Sequence, residues 1–158
     1  MSFEKVKDYL KNFGLEQKVM TFEVSSATVE LAALAVGTEP EKIAKSLTFM
    51  VHDKPIMIVC AGDAKIDNSK YKAQFACKAK MLTFEEVESL VGHKVGGVCP
   101  FAISENVDVY FDESLKRFEK VYPACGSANS AIELEVGEFE KVAQNFKGYV
   151  DVCKLIEG

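Results

Sequence analysis

Two apolar runs, at 46–51 and 55–61, are separated only by His52-Asp53-Lys54, and this constrains the fold more than any other feature of the chain. Runs of that length, broken by so short a polar turn, predict an antiparallel hairpin in the centre of a sheet. The remaining elements must cover it. Residues 2–13 place Phe3, Val6, Tyr9, Leu10 and Phe13 on one face of a helix, with Gly14 suited to a left-handed cap. Alternation at 18–24 predicts a strand. The alanine-rich run 28–36 predicts a buried helix ending at Gly37. Thr38 and Glu41 have the spacing of a capping box, predicting a short helix to about Ala44.

Further on, 67–76 reads as a polar helix, and Thr83 with Glu86 forms a second capping box opening a helix closed by Gly92. A loop follows at 96–100. Short strands are expected at 107–111, 120–124 and 131–136, a helix near 137–146, and a last edge strand at 149–153. Helices and strands do not alternate regularly. The expected fold is therefore α+β, one domain over residues 1–158 with a mixed, mostly antiparallel sheet flanked by helices.

At 158 residues, 48% apolar and 27% charged, the chain suits a single globular domain with a substantial core. No apolar run approaches the roughly 18–20 residues of a membrane span, and the charged N-terminal segment lacks the apolar core of a signal peptide. The five cysteines (60, 77, 99, 125 and 153) are far apart, with no CxxC pair. They read as reduced core residues of a cytoplasmic protein, and no spacing suits a zinc site. The net charge of −5 conceals an asymmetry: residues 42–80 hold eight lysines against three acids. That stretch can face phosphates, or its lysines can simply be solvated.

The usual catalytic constellations are absent: no GxSxG, P-loop, GxGxxG or HExxH motif occurs. Of the two histidines, His52 falls in the hairpin turn and His93 is expected in a surface loop. Three places remain. Lys45 lies among apolar neighbours where the short helix meets the central strand, and must either snorkel to solvent or point into a cavity. The loop Gly96-Gly97-Val98-Cys99-Pro100 lets backbone approach a ligand and offers N–H groups to a developing oxyanion, or is an ordinary turn. The segment Cys125-Gly126-Ser127-Ala128-Asn129-Ser130 leaves room for a ligand, or is a plain hairpin.

Order and spacing of these elements resemble the YbaK/EbsC and prolyl-tRNA editing family. Val36-Gly37 followed by Ile43-Ala44-Lys45-Ser46-Leu47 is similar to its "lG…iaKtL" signature, and Val95–Phe101 (VGGVCPF) to its "vGGvSPfG" loop. Residues 107–115 resemble its "v.vylDesl" strand and turn, and residues 126–134 its "GgrrGl.ieL" stretch. The similarity covers roughly residues 15–145. It implies a mixed-sheet fold and hydrolysis of mischarged tRNA(Pro) carrying alanine or cysteine, without metal or organic cofactor. It places Lys45 in the active site and the backbone from Gly96 to Pro100 at the aminoacyl end. The expected substrate contacts are Gly96, Gly97, Val98, Cys99, Pro100, Phe101, Gly126, Ser127, Asn129 and Thr28. The partners implied are the aminoacylated 3′ end of tRNA and prolyl-tRNA synthetase.

The chain departs from the family pattern at several positions. Cys99 stands where serine is usual, Ala102 where glycine often follows, Asn129 in place of a glycine, and Ser127-Ala128 in place of the basic pair. Two other readings stay open. One is a thioesterase or amidase with Cys99 as nucleophile and His93 upstream. The other is a non-catalytic module that binds tRNA or a synthetase.

Overall fold

The hairpin expected from the two apolar runs is the longest pairing of the fold. The computed structural model describes residues 2–156. Its strands are β1 (Met20–Thr21), β2 (Ile43–Val51), β3 (Lys54–Ala61), β4 (Ala64–Ile66), β5 (Asp108–Asp112), β6 (Lys120–Pro123), β7 (Ser130–Ala131), β8 (Leu134–Glu135), β9 (Phe146–Val150) and β10 (Cys153–Leu155). Its helices are α1 (Ser2–Lys11), α2 (Val29–Val36), α3 (Asn68–Phe75), α4 (Phe84–Glu86) and α5 (Val136–Val142). β2 and β3 pair antiparallel from Ala44↔Ala61 to Val51↔Lys54. The turn is only His52-Asp53, at φ 48° and 67°, the two left-handed residues that a tight hairpin demands.

Six strands form the main sheet in the order β8-β6-β2-β3-β5-β9. Within it β2/β3 and β6/β8 run antiparallel, while β2/β6, β3/β5 and β5/β9 run parallel. Two ribbons, β1/β7 and β4/β10, are antiparallel, so four of the seven pairings are antiparallel. The fold is α+β with a mixed sheet.

β3 is covered on both faces. Met57, Val59 and Ala61 point into one core with Val6, Leu10, Phe101, Val109 and Phe111. Ile56, Ile58 and Cys60 point into a second core with Phe49, Tyr71 and Val152. In the first core Phe111 packs against Phe139 and Phe146 at ring-centroid distances of 4.5 and 4.6 Å. Pairs of this kind add about 0.5–1.5 kcal/mol beyond the area they bury. Asp112, almost wholly buried, accepts from the N–H groups of Ser114 (2.8 Å) and Val152 (2.9 Å), fastening β5 to the chain that follows β9.

Several local expectations hold in detail. Thr83 and Glu86 form both halves of the capping box: Glu86 N–H donates to Thr83 Oγ1 at 3.1 Å and Thr83 N–H to Glu86 Oε1 at 2.8 Å. A π-turn at Val87–Val91 continues α4 as far as Gly92. Gly37 ends α2 in the left-handed conformation, and the polar helix expected at 67–76 is α3, which the structure shows to be capped by Asp67.

Others are corrected. The strand expected at 18–24 is only Met20–Thr21, preceded by a 3₁₀ turn. The helix expected from Thr38 is a single 3₁₀ turn, Pro40–Lys42, without a side-chain cap. Ile43 and Ala44 pair instead with Tyr122 and Pro123 of β6, and this tertiary pairing overrides the local signal. The helix near 137–146 ends at Val142, and Phe146 opens β9, one of the two edge strands of the main sheet. α2 is not buried: only Ala32 and Ala33 are covered, while Leu31 and Leu34 are 42% and 80% exposed. A small cluster of Val29, Ala32, Ala33, Ile43 and Tyr122 holds it down.

Candidate functional site

Among the described residues, β2 has along its outer edge a partner at each end and none in the middle. Ala44 pairs with Pro123, Thr48 C=O accepts from Leu82 N–H at 3.1 Å, and Met50 N–H donates to Lys80 C=O at 2.9 Å. The even-numbered residues of β2 therefore present their peptide groups to this edge. Ser46 lies between the two patches, paired across β3 with Val59 but facing no strand on the other side. β6 has already turned away, and the chain at 80–82 has not yet joined.

A pocket of about 350 Å³ opens over this gap. α2 and its cap supply one wall (Thr28, Val29, Ala32), and Val95, Gly96 and Val98 another. Met81 and Phe84, both exposed, stand at the mouth. Because β2 residues alternate between faces, the pocket folds over the strand edge. Lys45, opposite Cys60, enters it from one side, and Ser46, opposite Val59, from the other.

Lys45 belongs to β2 rather than to a helix–strand junction. It is half-buried, and its Nζ reaches Gly62 C=O at 3.4 Å. Gly62 holds that position because any Cβ would meet Pro40 C=O at 2.0 Å, so the turn before β4 packs directly on the 3₁₀ turn before β2. Beside it Asp63 is clamped by the Arg117 guanidinium, whose hydrogen bond holds the carboxyl below its usual range; Lys45 adds a smaller pull in the same direction.

The glycine loop and the small-residue segment pack on each other. A Cβ on Gly97 would lie 2.6 Å from both Gly126 C and Ser127 N. Gly97 N–H is used within the turn, donating to Lys94 C=O at 3.0 Å, while Gly96 (φ 102°) and Val98 face the pocket. Of the expected contacts, Lys45, Thr28, Gly96 and Val98 line the cavity and are brought together. Thr28 Oγ1 also caps α2 by accepting from Leu31 N–H.

The others lie behind these residues. Cys99, Pro100 and Phe101 are buried, and Gly126 is wedged beneath Ser2 and Val6. Ser127 bonds Ser130 Oγ at 2.6 Å, and Asn129 Nδ2 donates to Phe22 C=O at 3.1 Å, so they fasten β7 beside β1. Sequence reading missed Ser26, Ser46, Met81, Phe84 and Tyr122, which also line the pocket. Only Ser46, next to Lys45, stood within a run already singled out.

His93 is fully buried rather than in a surface loop. Its Nε2 lies 2.8 Å from Phe101 C=O, which fixes the proton on that nitrogen, since a carbonyl can only accept. Burial lowers its pKa, keeping the ring neutral. Cys99 Sγ is 3.6 Å from the same nitrogen. A nitrogen that already carries a proton cannot take one from the thiol, and burial pushes the Cys99 pKa up to about 12. This pair does not form an activated nucleophile. Among the described residues no three His, Cys, Asp or Glu side chains are grouped to hold a metal ion. No helix among them is long and apolar enough to cross a membrane.

Residues 23–142 match the family described as the aminoacyl-tRNA editing domain. The uncharacterized protein YwhH of Bacillus subtilis is 49% identical over 155 residues, 98% of either chain. The proline–tRNA ligase of Aquifex aeolicus is 29% identical over 80% of this chain, but that match spans only 23% of the ligase. A solved structure of a proposed trans-editing enzyme for prolyl tRNA synthetase superposes with a TM-score of 0.85 at 28% identity, covering 99% of this chain and 98% of its own. The hypothetical protein APE2540 gives 0.81 at 26% identity, covering 95% and 99%.

Proposed function

The chain belongs to the aminoacyl-tRNA editing domain family, and from that premise we propose that it is a deacylase hydrolysing mischarged aminoacyl-tRNA, with tRNA(Pro) carrying alanine or cysteine as its substrate. The observation that carries this reading is the pocket itself, where a half-buried lysine and the glycine loop face one another across an open strand edge. Its volume of about 350 Å³ suits an aminoacyl group with part of its ribose.

An aminoacyl ester is already activated, so a positioned water suffices as nucleophile once the carbonyl is held and its developing charge is met by donors. Lys45 supplies a fixed positive charge for the terminal phosphate or ribose, or for polarising the ester. Gly96 and Val98 bring backbone against the acyl group. The inner end of the pocket, between β2 and α2, is where a bulkier amino acid is refused, because steric exclusion discriminates better than attraction to a methyl group. In this reading the protein works in the cytoplasm beside prolyl-tRNA synthetase, and the lysines of residues 42–80 meet the tRNA backbone.

The test is incubation of the pure protein with alanyl-, cysteinyl- and prolyl-tRNA(Pro). Rapid release of alanine or cysteine with prolyl-tRNA spared is the expected result. Absence of release from all three would remove the reading.

A further inference from the structure

The gap in the outer edge of β2 is more than an opening. A strand edge offers a peptide N–H and C=O side by side, and in an antiparallel ladder one facing residue satisfies both with its own C=O and N–H. Ser46 has this pair turned to the pocket, because Thr48 and Met50, two and four residues on, use theirs toward the same edge. An α-aminoacyl ester carries the complementary pair on a single residue, an α-ammonium donor and a carbonyl acceptor. Two more polar groups at the same place lack partners among the described residues: the hydroxyls of Ser46 and Ser26, both buried and both belonging to pocket-lining residues. Ser26 as a whole is only 7% exposed. Buried polar groups ordinarily find partners, so unpaired ones beside a pocket point to a ligand.

We propose that Ser46 receives the aminoacyl group as a strand would receive its neighbour: its N–H donates to the ester carbonyl oxygen and its C=O accepts from the α-ammonium. This rests on the deacylase reading above. When water attacks the carbonyl carbon, the π pair moves onto the oxygen, which stays on the Ser46 N–H. Collapse then breaks the C–O bond to the ribose, whose hydroxyl leaves with a proton from the attacking water. The device recognises the α-amino acid backbone and is indifferent to the side chain, leaving side-chain selection to the pocket walls.

Three substrates test it: alanyl-tRNA, N-acetylalanyl-tRNA, whose only donor is neutral, and propionyl-tRNA, in which hydrogen replaces the ammonium so that no donor remains and no bulk is added. Because the ammonium also activates the ester, each rate is divided by that of spontaneous hydrolysis at the same pH. Both analogues should lose roughly tenfold or more of this rate enhancement, the scale of a lost hydrogen bond to a charged group. Equal enhancement for all three would overturn the inference alone. So would a fall confined to the acetylated substrate, which bulk explains. No turnover of any aminoacyl-tRNA would sink the deacylase reading first. A second arm exchanges the Ser46 amide for an ester by semisynthesis, which removes the N–H and weakens the Lys45 carbonyl as an acceptor toward β3. Turnover should fall roughly tenfold in a protein still fully folded at the assay temperature, any drop in melting temperature reflecting the weakened Lys45 carbonyl. Full activity in that protein would overturn the role given to the N–H.

Discussion

The backbone of Gly97 rests directly on that of Gly126, so closely that a Cβ at Gly97 would come within 2.6 Å of the Gly126 carbonyl carbon. Two sequence features that read as separate are thereby one unit, in which the small-residue segment is the bed on which the pocket loop lies.

Gly97→Ala should therefore damage the site without touching any pocket-lining side chain. Backbone, unlike a flexible side-chain end, cannot yield cheaply, and overpacking of this kind costs about 1–3 kcal/mol. Urea unfolding should show that loss, and deacylation should fall with it as the loop lifts. Unchanged stability would mean that the loop has another resting place.

Lys45→Ala should cut deacylation by roughly a hundredfold or more, the scale of losing a preorganised charge in an active site. The fold should persist, because the ammonium makes only a long hydrogen bond to Gly62 C=O. Melting and turnover measured on one preparation decide it. Full turnover would make Lys45 a surface lysine that happens to border a cavity.

Cys99→Ser should retain turnover within about tenfold, since a thiol pushed up to about 12 supplies no thiolate at neutral pH. Mass spectrometry after rapid quenching should find no acyl-enzyme in the unsubstituted protein. Iodoacetamide should leave Cys99 unmodified while the protein is folded. Collapse of activity in a well-folded Cys99→Ser protein would revive the covalent mechanism.

Asp63→Asn should destabilise the protein by about 1 kcal/mol at neutral pH, the upper range for a partly exposed ion pair. Arg117 lowers the Asp63 pKa in the folded state, so this stabilisation is present above the ordinary carboxylate value and is lost as the pH falls through the depressed folded value. Urea midpoints of the two proteins should accordingly converge in strong acid. A gap that persists unchanged at pH 2 would assign the effect to packing.

Much of this was legible in the sequence wherever the signal was local. The hairpin, the Thr83 capping box and the Gly37 stop all depend on residues within a few positions of one another, and all are found. Expectation failed where distant chain decided the outcome. Ile43 and Ala44 left a helical signal to pair with β6, and His93 was drawn into the core by the carbonyl of Phe101. The site divides in the same way. Lys45, Thr28, Gly96 and Val98 line the pocket, but which peptide lies open at its floor depends on where β6 ends and where the chain at 80–82 joins. No spacing within one segment encodes that.

α2, with Leu31 and Leu34 turned outward, is attached through the small cluster of Val29, Ala32, Ala33, Ile43 and Tyr122, whereas β2 opposite it is hydrogen-bonded into the sheet. One jaw of the pocket is stiff and the other is lightly held. The clearance between them should therefore vary with temperature, and amide exchange through α2 should outpace that through β2. The severity with which the protein turns away a bulky amino acid should accordingly relax on warming, well below the temperature at which the sheet itself unfolds.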